Sequence, residues 1–152
     1  MAYADDPGWT DEMRALRDAP ASTAVLDGVV AVLSRWRKTW GERPIAIVPM
    51  PSHGHGRLVR SIAEHLGSVG KLDVVDALAM SGSSIPPDAS SGAKVKALLT
   101  AMGLRPGVVV PRGPVLLLDA LYRSGWTMTV GAALLRDAGA TNVLPLAVHQ
   151  LP

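Results

Sequence analysis

The chain has 152 residues, of which 48% are hydrophobic and 18% are charged, and its net charge is +2. This length suits one domain that buries enough apolar surface to fold without staples, and the apolar fraction excludes a disordered chain. No cysteine is present, which excludes a disulfide scaffold, a thiolate zinc site and a cysteine nucleophile.

Nothing in the sequence suggests export or a membrane. No apolar run approaches the roughly 20 residues that a membrane-spanning helix needs. The first residues lack the basic and apolar segments of a signal peptide. We therefore expect a cytoplasmic protein with no membrane partner.

The first forty residues are predicted to form two helices. Residues 10–18 carry acidic side chains in their first turn and end before Pro20. Ser22 or Thr23 then caps a longer helix with the spacing of a surface helix packed on a core. Its predicted apolar face consists of Leu26, Val29, Leu33, Trp36 and Trp40. We expect residues 1–42 to be a helical extension, packed as one unit with residues 43–152.

Four basic residues cluster at the end of this second helix. Arg35, Arg37, Lys38 and Arg43 lie within nine residues, and the first three fall largely off the apolar face. We interpret them as a solvated flank, with weak nucleic-acid binding as the alternative. An isoelectric point near 9.3 permits that partner without requiring it.

From residue 43 onward, short apolar runs alternate with helical patterns. Strands are predicted at 45–50, 72–78, 114–119 and 142–148. Those at 45–50 and 114–119 are apolar runs typical of a sheet covered on both faces. Helices are predicted at 57–66 (ended by Gly67), 93–102 and 127–137. Residues 81–92 are the least structured by composition. The alternation predicts an α/β domain with a mostly parallel sheet flanked by helices.

The most informative stretch is residues 115–130. An apolar strand is predicted to end at Asp119, and a short polar loop then leads into a helix. Ligands of open α/β sheets bind at the carboxyl ends of strands, and a helix N-terminus with a glycine and hydroxyls can hold a phosphate. Asp119 would then accept hydrogen bonds from a sugar on that phosphate. A plain N-cap at Ser124 or Thr127, with a turn at Gly125, is the structural alternative, and both stay open.

This stretch resembles the phosphoribosyl-pyrophosphate loop of type I phosphoribosyltransferases, a hydrophobic strand followed by Asp-Asp-x-x-x-Thr-Gly-x-Thr. The residues that match, in motif order, are Asp119, Ser124, Gly125 and Thr127. Ala120 stands where the second acid is expected. Arg123 and Trp126 occupy positions that are usually small. The resemblance implies a type I phosphoribosyltransferase fold over about residues 44–150.

The resemblance also implies which residues bind ligand. The family's acids hold the ribose hydroxyls and its loop holds the 5′-phosphate, so the candidates are Asp119, Arg123, Ser124, Gly125, Trp126 and Thr127. Residues 47–52 and the loop after them resemble the pyrophosphate-loop region of ComF-like members, with candidates Ser52, His53, Gly54 and Arg57. Residues 83–87 fall where those proteins carry a mobile loop. No catalytic residue is assigned.

Several fragments are most similar to the phosphoribosyltransferase-like C-terminal domain of actinobacterial RecQ-type ATP-dependent DNA helicases. They are residues 3–9, 43–52, 58–63 and 125–130, the last containing Trp126. The resemblance implies a piece of a longer, nucleoid-associated bacterial protein whose partner in cis is a helicase core. The chain carries neither Gly-x-x-x-x-Gly-Lys-Ser/Thr nor Asp-Glu-x-His, so ATP hydrolysis by that route is not its own activity.

Two functions remain open at this point. The second acid of the motif is missing, and residues His53-Gly-His55 stand where the helicase-attached relatives have a basic loop. Both features favour a non-catalytic accessory domain with a residual phosphate-binding loop. The alternative is an active phosphoribosyltransferase that uses phosphoribosyl pyrophosphate and Mg²⁺. If the missing acid alone weakened the site, Ala120→Asp would strengthen ribose binding.

The remaining expectations concern ligands and assembly. His53 and His55 lack a third metal ligand nearby, so we expect a polar loop rather than a metal site, and no cofactor beyond Mg²⁺ in an active enzyme. A phosphate or sulfate ion is expected at the loop around Gly125. Trp126 is expected to pack on its neighbours, with base stacking as the alternative. A homodimer stays an open alternative.

Overall fold

The computed structural model describes residues 7–82 and 88–151. Within those two ranges, no helix has the length and apolar character needed to cross a membrane. The predicted mobile segment, residues 83–87, lies outside the described residues.

The chain begins with two helices, α1 (Pro7–Ala15) and α2 (Thr23–Trp36). The predicted cap of the second is confirmed, because the Ser22 hydroxyl accepts a hydrogen bond from the Val25 backbone N–H at 3.4 Å. The predicted apolar face is wrong at its end. Trp36 is 36% exposed. Trp40 lies beyond the helix, which ends at Trp36, but it packs partly buried against the predicted core.

The strands, in chain order, are β1 (Ala46–Pro49), β2 (Asp73–Val74), β3 (Leu78–Met80), β4 (Met102–Leu104), β5 (Pro114–Tyr122) and β6 (Asn142–Gln150). Four of them form a parallel sheet in the order β2-β1-β5-β6. The other two, β3 and β4, form a separate antiparallel pair. The predicted α/β class with a mostly parallel sheet is confirmed.

The strand predicted over residues 72–78 is two strands in two sheets. Its first part, β2, pairs with β1 and ends at Val74, and its last residue begins β3. The short β4 was not predicted, because its residues continue the apolar pattern of the helix before them. These pairings depend on partners distant in sequence, which local periodicity does not report.

Three further helices follow: α3 (Gly56–Gly70), α4 (Ser91–Ala101) and α5 (Trp126–Asp137). The predicted end of α3 at Gly67 is wrong, since the helix continues to a left-handed cap at Lys71 (φ +52°). Gly67 serves close packing instead. An ideal Cβ at this position would lie 2.9 Å from Val74 Cγ2, so a larger residue would push the helix off the sheet.

The sheet separates two apolar clusters. The cluster formed with α1, α2 and α3 includes Met13, Leu16, Val25, Ile47, Leu58, Leu118 and Ala120. The cluster on α5, α4 and the β3–β4 pair includes Val48, Leu78, Leu98, Val115, Leu117 and Leu135. The two N-terminal helices therefore share a core with the sheet.

Candidate functional site

Two loops leave the sheet at the same end, next to each other. The last residue of β1, Pro49, is paired with Leu118 of β5, and the Met50 N–H donates to the Leu118 carbonyl at 2.7 Å. The loop of residues 51–55 therefore begins beside Asp119. This is the carboxyl end of two adjacent parallel strands, where open α/β sheets bind ligands.

Asp119 is a buried carboxyl, 8% exposed, that forms no ion pair within the described residues. Its Oδ1 accepts a 2.7 Å hydrogen bond from the Ala120 backbone N–H. Burial raises the pKa of Asp119 from 3.8 to about 6, while hydrogen bonds from the Ala120 and Leu121 N–H groups oppose that shift. A buried acid without an ion-pair partner is a group that a ligand hydroxyl can satisfy.

The strand that carries Asp119 is longer than predicted. β5 continues to Tyr122 because Leu121 pairs with His149 and Tyr122 with Gln150 of β6. Asp119 therefore lies inside the strand, opposite Ala147, and not at the strand's end. The loop to α5 is reduced to residues 123–125.

Ala120 is fully buried and belongs to the apolar cluster under α2 and α3, together with Leu118 and Val148. Its side chain faces the protein core rather than solvent. The position that matches the second acid of the motif is consequently closed to a ligand in this conformation.

The start of α5 exposes backbone N–H groups. Its N-cap is Gly125, and no side chain caps the helix, so the expected alternative of a Ser124 or Thr127 cap is not observed. Among the described residues, none accepts a hydrogen bond from the N–H of Trp126, Thr127 or Met128. Three free amides at the positive end of a helix form a potential anion site.

Gly125 holds this turn in a conformation that other residues disfavour. Its φ is +77°, and an ideal Cβ would lie 2.9 Å from the Tyr122 hydroxyl oxygen. The ring of Tyr122 thus covers the glycine from the strand side. The same close approach leaves no space for a side chain between the strand end and the helix start.

Gly125→Ala is therefore expected to destabilise the protein by about 2–3 kcal/mol, from left-handed backbone strain and the Tyr122 contact together. Gly107→Ala is the matched control, because Gly107 also has φ +77° but an added Cβ would meet nothing within 4 Å. Urea unfolding of both variants separates the two contributions. Equal losses would show that Tyr122 moves away without cost.

The loop after β1 carries little charge of its own. Ser52 is half-buried, His53 is exposed, and Gly54 adopts φ +87°. The pKa of His55 is lowered, first by burial and then by the charge of Arg17, while Asp18 acts in the opposite direction. His55 is thus neutral at neutral pH, and the imidazole contributes no permanent positive charge.

Arg17 is a site residue that sequence reasoning missed. Its Nε would lie 3.3 Å from a Cβ placed on Gly54, so its guanidinium covers the loop. The turn after α1 is fixed there because the Asp18 N–H donates to the Gly54 carbonyl at 2.8 Å, and Arg57 Nη1 donates to the Asp18 carbonyl at 3.2 Å. Only the packing of the N-terminal helices on the sheet brings this cation to the loop.

The other predicted site residues are distributed as follows. Arg123 and Ser124 are exposed, and Thr127 is half-buried. Trp126 is half-buried and packs against the apolar cluster beneath α5, which favours packing over base stacking. Within residues 7–82 and 88–151, no three metal-ligating side chains come together.

His149 is a second residue that the sequence did not single out. It is 2% exposed, and its Nδ1 has no hydrogen-bond partner among the described residues. It lies on β6 and pairs with Leu121 of β5, the residue after Ala120. No local pattern distinguishes it, because its burial depends on the pairing of β6 with β5.

Comparison with known proteins identifies the fold. No family model and no curated protein sequence matches the chain. Solved structures do match: an adenine phosphoribosyltransferase superposes with a TM-score of 0.59 at 15% identity over 86% of this chain and 72% of its own. The protein has the fold of the type I phosphoribosyltransferases.

Two enzymes from Leishmania agree with this assignment. The adenine phosphoribosyltransferase of Leishmania donovani gives a TM-score of 0.57 at 16% identity, and that of Leishmania tarentolae gives 0.53 at 17%. They cover 86% and 80% of this chain. The chain spans 55% of the length of each, so about half of either enzyme has no counterpart here.

Proposed function

We propose that this chain is a non-catalytic phosphoribosyltransferase-fold domain that binds a phosphorylated ribose. The observation that carries the proposal is the free helix start at Trp126–Met128, located just after the strand that contains buried Asp119. The amides suit a phosphate, and the carboxylate suits ribose hydroxyls, which are neutral donors.

The motif offers no second acid that a ligand can reach, which argues against catalysis of phosphoribosyl transfer. Phosphoribosyl transfer requires a firm hold on both ends of the donor while positive charge develops on the ribose. Asp119 is the one motif acid, and Ala120 faces the apolar core. At the pyrophosphate end, His55 is neutral and the cations are Arg17 and Arg57, both on the exposed side of the loop.

A protein-held Mg²⁺ does not fit these residues. In the described part of the chain, Asp119 belongs to no group of three or more potential metal ligands, and its buried Oδ1 already accepts a backbone hydrogen bond. Mg²⁺ prefers several oxygen ligands in near-octahedral geometry. The alternative function, an active phosphoribosyltransferase, would need the metal to arrive bound to the substrate.

Calorimetric titration tests the proposal with two ligands, ribose 5-phosphate and phosphoribosyl pyrophosphate, each with and without Mg²⁺. We expect both to bind with similar affinity and without need of Mg²⁺. At a hundred times the dissociation constant, either should raise the free energy of unfolding by about 2.7 kcal/mol. Binding of neither ligand would refute the phosphate site. Two results together would establish the alternative. Phosphoribosyl pyrophosphate would bind more tightly than ribose 5-phosphate only with Mg²⁺, and free pyrophosphate would be released when adenine is added.

We further propose that the domain acts as an accessory domain of a RecQ-type helicase, in a bacterial cytoplasm. The support is the sequence resemblance of residues 43–52, 58–63 and 125–130. The cations Arg35, Arg37 and Lys38 are exposed at the end of α2, where they can contact nucleic-acid phosphates weakly. Arg60 is less suited, because it pairs with Asp76 at 3.1 Å.

Titration of labelled single-stranded DNA at 50 and 200 mM salt tests this contact. With three phosphates neutralised, the affinity is expected to fall about 20-fold between the two salt concentrations, from a dissociation constant no tighter than about 10⁻⁶ M. A variant with Arg35, Arg37 and Lys38 all changed to Gln should lose the salt dependence. Tight binding that ignores salt would contradict the charge argument.

A further inference from the structure

A pocket lies at the opposite end of the sheet from the candidate site. Its volume is about 490 Å³, within the range of roughly 300–1,000 Å³ that is typical of small-molecule sites. It is bounded by the ends of α2 and α3 and by the segments that enter β1 and β2. We call it the basal pocket and define it by Leu33, Arg37, Lys38, Trp40, Arg43 and Leu72.

The interior of the basal pocket is apolar. Leu66 and Leu116 at its base are almost fully buried, and Leu33, Trp40 and Leu72 pack partly buried against the same core. Ser34 provides the one side-chain hydroxyl among the lining residues. Such walls favour a hydrocarbon body over a base or a sugar, whose polar atoms would lose their hydrogen bonds there.

The opening of the basal pocket is basic. Arg37, Lys38 and Arg43 line it, and no aspartate or glutamate does. Within the described residues, Arg37 and Lys38 form no ion pair. Arg43 is held in place by the hydrogen bond that its Nη2 donates to the Gly70 carbonyl at 2.6 Å.

The negative ends of the neighbouring helices do not neutralise all of this positive charge. The carboxyl ends of α2 and α3 both reach the pocket, and each carries about half a negative charge. Together they offset about one of the three cations. The lining residues at the mouth of the apolar cavity therefore remain net positive.

We propose that the basal pocket binds a small amphiphilic anion, a carboxylate on a hydrocarbon body. The hydrocarbon would occupy the space between Leu33, Trp40 and Leu72, and the carboxylate would lie between Arg37, Lys38 and Arg43. This inference is independent of the proposed ribose-phosphate site, which lies at the other end of the strands. Arg37 and Lys38 also belong to the proposed nucleic-acid contact, whereas Arg35 belongs to that contact alone.

Three probes with the same ten-carbon chain test the proposal: decanoate, decan-1-ol and decylamine. Binding is followed by methyl NMR of the full chain, with chemical-shift changes expected at Val30, Leu33 and Leu72 for decanoate. We expect decanoate to bind at least about fivefold more tightly than decan-1-ol, and decylamine not to bind. Raising the salt concentration should weaken decanoate only.

Substitution identifies the cations. Arg37→Gln combined with Lys38→Gln should reduce decanoate affinity at least about fivefold and leave decan-1-ol affinity unchanged. Arg35→Gln is the matched control, because Arg35 is an exposed cation only two residues before Arg37 that does not line the pocket, and it should change neither affinity. Equal affinity for all three probes, or shift changes confined to the larger apolar groove around Ala132, Val143 and Ala147, would overturn the proposal.

Discussion

Ala120→Asp is expected to lower the free energy of unfolding by about 4 kcal/mol, because it places an unpaired carboxylate in the apolar cluster beneath α2 and α3. Ribose 5-phosphate binding should not improve. This is the opposite of what the motif match alone suggests, where the same substitution restores a missing ribose ligand. The orientation of one side chain changes the sign of the result.

Urea unfolding, with a parallel ribose 5-phosphate titration, measures both effects. Ala133→Asp is the control, since Ala133 is an exposed residue of α5 and the same change there should cost no more than about 0.7 kcal/mol, the difference in helix propensity. A stable Ala120→Asp protein with tighter ribose binding would show that the strand turns this position toward the ligand.

Asp119→Asn should make the protein more stable at pH 8, by about 2.5 kcal/mol relative to the effect at pH 4. The pKa of Asp119 is about 6 in the folded protein against an ordinary 3.8, so the folded state binds the extra proton between these values. Stability that is present below pH 4 is thus lost as the pH rises through 6. Asparagine does not ionise and keeps an Oδ1 that can accept the Ala120 hydrogen bond.

The measurement is the free energy of unfolding of both proteins from pH 4 to pH 8. Asp27→Asn, at an exposed position of α2, controls for the loss of one negative charge. If the difference between wild type and Asp119→Asn stays constant over this range, the carboxyl is better hydrated than its 8% exposure indicates.

Asp119→Asn also tests the proposed binding of ribose 5-phosphate. A carboxylate that weakens the fold at neutral pH is more easily explained by binding than by structure. We therefore expect Asp119→Asn to bind ribose 5-phosphate about tenfold less tightly, because hydrogen bonds to a charged acceptor are the stronger ones. A gain in stability together with a loss of binding would identify Asp119 as a ligand-binding group.

Much of the fold could be read from local patterns in the sequence. Uninterrupted apolar runs at residues 45–50 and 114–119 indicated strands covered on both faces, and their alternation with helices indicated a parallel sheet. The start of α5 was placed within one residue, next to Gly125, which has a positive φ in the structure. These features depend on residues close together in the chain, and periodicity and turn chemistry report such relations.

The site itself depended on contacts between distant segments. β5 extends three residues past Asp119 because β6 pairs with it, and that pairing buries both Asp119 and Ala120. Arg17 reaches Gly54 because α1 packs on the same core as α3. Neither contact can be predicted from the local sequence, since the residues in contact are tens of residues apart in the chain. The sequence thus identified the loop that we propose to bind a ligand, while long-range packing set which of its side chains are available and what charge they carry.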